Sequence, residues 1–196
     1  MLAERLPPFV RDNYYCGEWH HASAVMVGDH TREWDDLMGV LSAFRLKKSY
    51  IASGGGSKTR LAASIDDYLE ARGWRETRFD TKVVVDSLVT ETPTHKIDMY
   101  RNKIAIEIEW NNKDPFYDRD LNNFRLLHQL RTVSVGVIIT RSDELQSIFT
   151  SLGRGSSYGN STTHLSKLIP RIEGGGAGGC PILTFGIKPS LYREDE

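Results

Sequence analysis

The chain has 196 residues, of which 26% are charged and 39% hydrophobic, and its formal net charge is −1. This length suits one globular domain with a substantial core, and the sequence contains no run of 18 apolar residues that would predict a membrane span. Two cysteines are too few for a disulfide framework and no apolar signal segment follows Met1, so we expect a reduced, cytoplasmic protein without a membrane partner.

The first third of the chain predicts an irregular start followed by a helix. The Pro7–Pro8 pair interrupts regular structure within residues 1–16, and residues 18–27 fit either a short strand or a helix. Thr31 is the predicted N-cap of a helix that extends to about Phe44. Its apolar residues recur at helical spacing and predict a buried stripe: Trp34, Leu37, Met38, Leu41 and Phe44.

The glycine-rich segment from Ser53 to Thr59 superficially resembles a phosphate-binding loop. It fails that motif because Ser57 precedes the lysine and the four-residue spacer is absent. We therefore expect no nucleotide cofactor and predict instead a basic loop in which Lys58 contacts a nucleic-acid backbone. A helix over about 59–72 should follow, with a glycine C-cap.

Two strands of a hairpin are predicted between Lys96 and Trp110, separated by a turn at Asn102-Lys103. A two-residue turn places Asp98 opposite Glu107, on a shared face of the hairpin. The same register places Lys96 opposite Glu109. The alternate positions are apolar and should face a core: Ile97, Met99, Ile104, Ile106 and Ile108.

Three carboxylates therefore converge on one face of the predicted hairpin: Asp98, Glu107 and Glu109. Opposed like charges destabilise a sheet unless something compensates them, and carboxylate oxygens are the ligands that Mg²⁺ prefers. The alternative interpretation is a solvated polar strand face, which is the usual meaning of a single acidic residue on a strand. The convergence of three acids opposite an apolar face favours a divalent-metal site.

The remaining elements predict an α/β fold. A short buried strand at Val83–Val85 precedes the hairpin, and Asp118 should cap a helix over about 119–130. Residues 133–140 form a β-branched run typical of a central strand buried on both faces. A strand, a helix and a further buried strand make a parallel crossover. The fold should then be a central mixed sheet flanked by helices, in one domain spanning 1–196. Further predicted elements are helices from Ser142 to about Leu152 and over 165–172, and a strand over 181–187.

Two polar segments are candidates for DNA contact. Asparagine amides suit adenine edges, lysine can meet a phosphate or guanine, and an arginine with short hydroxyls can reach base edges. Ordinary turn composition explains both segments equally well. Basic residues outnumber acidic ones over 37–65 and 152–193, as expected where an anion is held beside a metal. The candidates are Asn111, Asn112, Lys113, Arg154, Ser156 and Ser157.

The hairpin resembles the catalytic hairpin of the PD-(D/E)XK nucleases. Lys96-Ile97-Asp98 followed by the segment from Ala105 to Phe116 is similar to BglII/BstYI-type type II restriction endonucleases, relatives of BamHI. The similarity extends over most of the chain and includes the Gly-Gly-Gly-Ser-Lys segment at 54–58 and the Gly-Arg-Gly-Ser-Ser-Tyr-Gly loop at 153–159. It implies a restriction-endonuclease-like fold and a homodimer that binds palindromic double-stranded DNA, often centred on GATC, and cuts both strands with Mg²⁺.

The resemblance also implies roles for individual residues. Asp98 and Glu107 would ligate the metal together with the backbone carbonyl of Ile108. Glu109 occupies a position that is most often lysine in the superfamily, although close relatives carry Glu or Gln there. Its carboxylate could position or deprotonate the attacking water, or hold a second metal.

Two alternative functions stay open from the sequence. One is a DNA repair or junction-resolving nuclease of the same superfamily, which would recognise structure rather than sequence. The other is a non-catalytic DNA-binding protein whose acidic hairpin is merely structural, and the presence of all three carboxylates disfavours it.

Overall fold

A computed structural model describes residues 1–52 and 59–195. Helices flank a set of strands along this part of the chain. The helices are α1 (Leu2–Arg5), α2 (Pro8–Asn13), α3 (Ala22–Asp29), α4 (Thr31–Ala43), α5 (Lys48–Ala52), α6 (Arg60–Glu70), α7 (Phe116–Gln129), α8 (Leu145–Ser151) and α9 (Leu165–Glu173), with a 3-10 turn at Pro189–Leu191. The strands are β1 (Tyr14–Trp19), β2 (Leu46–Lys47), β3 (Arg75–Thr77), β4 (Asp80–Val85), β5 (Leu88–Pro93), β6 (Ile97–Arg101), β7 (Ile104–Glu109), β8 (Val135–Arg141), β9 (Ile182–Ile187) and β10 (Tyr192–Arg193).

The centre of the molecule is a six-stranded mixed sheet with the strand order β1-β9-β8-β7-β6-β3. Strand β7 runs antiparallel to β6 and parallel to β8, and β8 runs parallel to β9. Helix α7 connects β7 to β8, so these elements form the predicted parallel crossover. The predicted α/β architecture with a mixed sheet flanked by helices is therefore confirmed.

The sheet is covered by apolar side chains on both faces. One core cluster contains the predicted stripe of α4 and receives Ile106 and Ile108 from β7. The second cluster is built mainly from α7 and α9 and receives Ala105 from the same strand. Since successive side chains alternate between faces, Glu107 and Glu109 lie on the α7 side of the sheet.

The hairpin of β6 and β7 has the predicted register. Met99 pairs with Ile106, and Arg101 pairs with Ile104 on either side of a two-residue turn. Asn102 and Lys103 have φ values of 42° and 67°, the left-handed conformation that a tight two-residue hairpin of this kind requires. The prediction for Ile97 is wrong, since it packs in the α7 cluster and not with Met99. The register between β3 and β6 shifts near this point.

Local predictions fail mainly outside the central sheet. Residues 1–16 are not irregular but form α1, α2 and the start of β1, because Pro8 sits in the first turn of α2 where no backbone donor is needed. Val84 and Val85 belong to the separate β4–β5 hairpin and are more than half exposed. Helix α7 begins after Pro115, before the predicted cap at Asp118.

Candidate active site

Asp98 and Glu107 meet across the hairpin. The backbone N–H of Asp98 donates to Glu107 Oε2 at 3.4 Å, and Asp98 Oδ2 accepts from the backbone N–H of Ile108 at 2.8 Å. Glu107 is buried and Asp98 is half-buried. The hairpin register thus brings these two predicted site residues together, with the Asp98 side chain tied to the main chain of β7.

Glu109 is buried at the end of β7 and both of its oxygens are occupied. Its Oε2 accepts from Asn112 Nδ2 at 2.9 Å, and its Oε1 lies 3.4 Å from Arg119 Nη2. Lys96 does not lie opposite Glu109 as predicted. Its Nζ instead forms an exposed ion pair with Glu76 Oε2 at 2.8 Å, and the paired residues of the hairpin begin at Met99.

Asp120 is a fourth carboxylate at this site, and the sequence reasoning missed it. It projects from α7 and is fully buried. Its Oδ1 accepts from Arg119 Nε at 2.9 Å and from Arg119 Nη2 at 2.8 Å. Its carboxyl group lies close enough to that of Glu109 for the two to hydrogen-bond when one of them is protonated. A signal was present, because Asp120 stands at helical spacing between the apolar residues Tyr117 and Phe124.

Burial and mutual repulsion dominate the electrostatics of the four acids. Burial raises the pKa of Glu107 well above its ordinary range, and the nearby Asp120 charge raises it further. The same two causes, in the same order, raise the pKa of Glu109 to about 9. Burial also raises the pKa of Asp98, against the opposing effect of the Ile108 N–H. A bound cation would relieve this repulsion.

The donor set fits a hard divalent cation. Glu107 Oε1 and Asp120 Oδ2 are buried carboxylate oxygens without a hydrogen-bond partner, which is costly unless an ion or water satisfies them. Oxygen ligands of this kind suit Mg²⁺. Within residues 1–52 and 59–195, no three Asp, Glu, His or Cys side chains already stand at ligand spacing.

The predicted DNA-contact segment at 111–113 lies beside residues 162 and 163, at the far end of the loop that carries Arg154, Ser156 and Ser157. Lys113 forms an antiparallel bridge with Thr162, and the N–H of Thr163 donates to the carbonyl of Asn112 at 2.9 Å. Asn112 and Lys113 are exposed, whereas Asn111 is half-buried. We call residues 111–113 and the loop over 153–164 the joined segments. Because Asn112 also donates a hydrogen bond to Glu109, the joined segments lie next to the acidic site.

The loop over 153–164 is anchored from beneath. Arg141 is buried, and its Nη2 donates to the carbonyl of Tyr158 at 3.0 Å and to Thr162 Oγ1 at 2.9 Å. Trp110 Nε1 donates to the Tyr158 hydroxyl at 3.2 Å, and Phe149 stacks on the Tyr158 ring. These contacts fix the loop against the end of β7.

The remaining DNA-contact candidates differ in placement. Ser156 and Ser157 are exposed on the anchored loop. Arg154 is half-buried, and its Nε lies 3.4 Å from the carbonyl of Ile51 at the end of α5. Lys58 and the glycine-rich segment around it lie outside the described residues.

A family model described as restriction endonuclease BglII/BglIII matches residues 14–187. This match covers every strand of the central sheet together with the four carboxylates. The curated proteins contain no match to the chain. Among the helices of the described residues, none has the length and apolar character to cross a bilayer.

Proposed function

The chain belongs to the BglII/BglIII restriction endonuclease family and is thus a DNA-cleaving hydrolase, and we propose that it is a Mg²⁺-dependent type II enzyme. It hydrolyses phosphodiester bonds in both strands of a short palindromic duplex, with a GATC-centred sequence as the first candidate. The observation that carries this proposal is the buried cluster of carboxylates where β6, β7 and α7 meet, with oxygens that lack partners.

Asp98 and Glu107 are the proposed metal ligands, together with the backbone carbonyl of Ile108. The buried Glu107 Oε1 has no protein partner and is available to a cation. The hydrogen bond from the Ile108 N–H holds Asp98 Oδ2 against β7, so its carboxylate is oriented before a cation binds. Mg²⁺, when bound, supplies charge neutralisation at the phosphate and lowers the pKa of a coordinated water.

Glu109 positions the attacking water and accepts its proton. Asn112 and Arg119 fix the two oxygens of this carboxylate, which limits its motion. Burial and Asp120 raise its pKa to about 9 in the metal-free chain, so the carboxyl is protonated there at neutral pH. A cation bound beside it would lower this pKa, and the ionised carboxylate could then accept the proton of the water. The role differs from that of a lysine, which would contribute a positive charge at this position.

The joined segments beside the acidic site form the proposed DNA-reading surface. Exposed amide, hydroxyl and ammonium groups there can reach base edges and phosphates. Asn112 keeps its Oδ1 for a base contact while its Nδ2 is held by Glu109. The proposed contacts are Lys58, Asn111, Asn112, Lys113, Arg154, Ser156 and Ser157.

A palindromic site has two-fold symmetry, and a symmetric homodimer presents one active site to each strand. We therefore propose that the chain acts as a homodimer. We also propose that it forms one endonuclease domain over 1–196 and works in the cytoplasm. Such a dimer would carry two acidic sites, one for each scissile phosphate.

Digestion of plasmid DNA tests this proposal. The protein is incubated with supercoiled plasmid and Mg²⁺, with an EDTA control, and the ends of the products are sequenced. Discrete fragments that share one terminal sequence are expected. Smears, or cleavage of branched substrates only, would favour a repair or junction-resolving nuclease, and no cleavage with any divalent ion would favour a non-catalytic DNA-binding protein.

A further inference from the structure

We propose that Asp120 of α7 is a fourth carboxylate of the metal centre and a direct ligand of a divalent cation bound there. This inference rests on the proposed function, since it concerns the same centre. It adds a residue from a helix to a site otherwise built on one hairpin. The centre then joins two layers of the fold, and cation binding becomes sensitive to how α7 packs on the sheet.

The position of Asp120 on α7 aims its side chain at the acidic face of the sheet. Tyr117, Leu121 and Phe124 of the same helix are all buried in the cluster beneath that face. Asp120 shares this buried side of the helix and has no exposed surface. A fully buried carboxylate is rarely retained without a partner of opposite charge.

The free oxygens of the site distinguish Asp120 from Glu109. Both oxygens of Glu109 already have protein partners, Asn112 and Arg119. In Asp120, Oδ1 accepts both bonds from Arg119, while Oδ2 is buried and receives no N–H donor. The neighbouring Glu109 carboxyl can hydrogen-bond Asp120 only through its own proton, and an incoming cation would displace that proton. Together with Glu107 Oε1, Asp120 Oδ2 is thus the second buried carboxylate oxygen of the site that is available to a cation.

The charge of Asp120 also acts on each of the other three carboxylates of the cluster. Among the neighbouring charges that raise the pKa of Glu107, that of Asp120 acts more strongly than those of Asp98 and Glu109. The same carboxylate raises the pKa of Asp98 and Glu109. A cation bound beside Asp120 would therefore offset repulsion at all four acids.

Arg119 supplies the positive charge that the metal-free site has. Its guanidinium contacts Asp120 and Glu109, lies 4.2 Å from the Phe116 ring centroid and is 32% exposed. One guanidinium cannot neutralise four carboxylates. Because it bonds only the Oδ1 atom of Asp120, Arg119 can keep its contact with Glu109 while Asp120 Oδ2 ligates an incoming cation.

Titration of the protein with Mn²⁺ in the absence of DNA tests the proposal, by calorimetry and by the shift in melting temperature. Wild type is compared with Asp120→Asn, with Asp98→Asn, and with Asp118→Asn. Asp118 lies on the same helix, but pairs with Arg171 away from the site, so its variant is the matched control. We expect both site variants to lose at least about tenfold in Mn²⁺ affinity, as loss of a ligand requires, and Asp118→Asn to bind as wild type does.

The outcomes separate this inference from the proposed function. If Asp98→Asn loses affinity while Asp120→Asn binds Mn²⁺ as wild type does, Asp120 is not a ligand and the nuclease proposal stands. If wild type binds no Mn²⁺, both are overturned. Because Asp120→Asn could disturb folding, a measurement on the wild-type chain accompanies it: bound Fe²⁺ with ascorbate and peroxide should cleave the backbone near residue 120 as well as near 98 and 107. Cleavage confined to the hairpin would overturn the inference.

Discussion

Asp98 Oδ2 accepts a hydrogen bond from the backbone N–H of Ile108 at 2.8 Å, so the carboxylate of one strand is fixed to the main chain of the next. This link exists only in the observed hairpin register. A shift of one residue turns every side chain of a strand to the opposite face. The length of the turn at Asn102-Lys103 therefore controls the assembly of the acidic site.

A one-residue insertion in that turn should abolish cleavage. A glycine inserted between Asn102 and Lys103 lengthens the turn from two residues to three. This change breaks the hydrogen bond from the Ile108 N–H to Asp98 Oδ2. We expect loss of Mg²⁺-dependent plasmid cutting and of Mn²⁺ binding in a folded protein, verified by circular dichroism. The control is Lys103→Gly, which keeps the loop length and the left-handed φ of 67°. Normal cleavage by the insertion variant would contradict the assignment of the hairpin as the site.

The stability of the metal-free protein should fall as pH rises. Burial and Asp120 raise the pKa of Glu109 from 4.5 to about 9, so between these values the folded state holds a proton that the unfolded chain releases. The stabilising contribution is complete below pH 4.5 and is lost as pH rises through 9, with a slope of up to about 1.4 kcal/mol per pH unit. Glu109→Gln cannot titrate, and its pH dependence should be shallower.

Urea unfolding in EDTA at pH 5, 7 and 9 measures this difference. Glu144→Gln is a suitable control, because Glu144 interacts with the Tyr15 hydroxyl at the surface, away from the site. Equal slopes for wild type and Glu109→Gln would show that Glu109 is not held with a raised pKa.

The packing of α7 on the sheet should control metal affinity. A methyl group added at Gly136 of β8 would lie 2.5 Å from Phe124 Cδ2 on α7, so Gly136→Ala must displace the Phe124 ring, which packs the helix carrying Asp120 on the sheet. We expect a loss of about 1–3 kcal/mol in the free energy of unfolding, accompanied by weaker Mn²⁺ binding.

Gly28→Ala provides the comparison for this variant. Apart from the adjacent backbone of α3 itself, no atom of the described residues lies within 4 Å of the added methyl, and alanine is favoured over glycine inside a helix by about 0.5–1 kcal/mol. That variant should therefore be unchanged or slightly more stable, with unchanged metal affinity. Unaltered Mn²⁺ binding by Gly136→Ala would contradict the dependence of the metal centre on α7.

Removal of the anchor beneath the loop over 153–164 should weaken sequence-specific DNA binding. Arg141→Met leaves the carbonyl of Tyr158 and the Thr162 hydroxyl without their charged donor, at a cost of about 1.5–3 kcal/mol for each bond. We expect affinity for the cognate duplex to fall more than affinity for an unrelated duplex, measured in EDTA at one salt concentration. Arg125→Met, an exposed change on α7, is the control, and equal losses on both duplexes would contradict a role for this loop in sequence reading.

The sequence predicted the turn and the register of the hairpin between Met99 and Ile106 because this information is local. It did not predict the packing of Ile97 or the position of Lys96, where the strand departs from regular alternation. Alternating apolar residues and two turn residues define strand faces and register without reference to the rest of the chain. The same reasoning failed for Val84 and Val85, since a short apolar run indicates a strand but cannot show whether it joins the central sheet. They instead lie exposed on the separate β4–β5 hairpin.

The fourth carboxylate required tertiary information. The hydrophobic pattern places Asp120 on the buried side of α7, but only the packing of α7 over β7 brings it to Glu109. An acidic residue within the apolar stripe of a helix that follows an acidic strand was the available signal.

If the acidic hairpin cleaves DNA through a bound metal ion, Asp98→Ala should abolish cleavage, and this variant is the most direct test. Cleavage with Mg²⁺ and equilibrium binding in EDTA are measured for wild type and variant on one duplex that carries the mapped site. The variant should bind that duplex with an affinity close to that of wild type, while cleavage falls below detection. An Asp98→Ala protein that cuts at the wild-type rate would exclude Asp98 from the site and contradict the account.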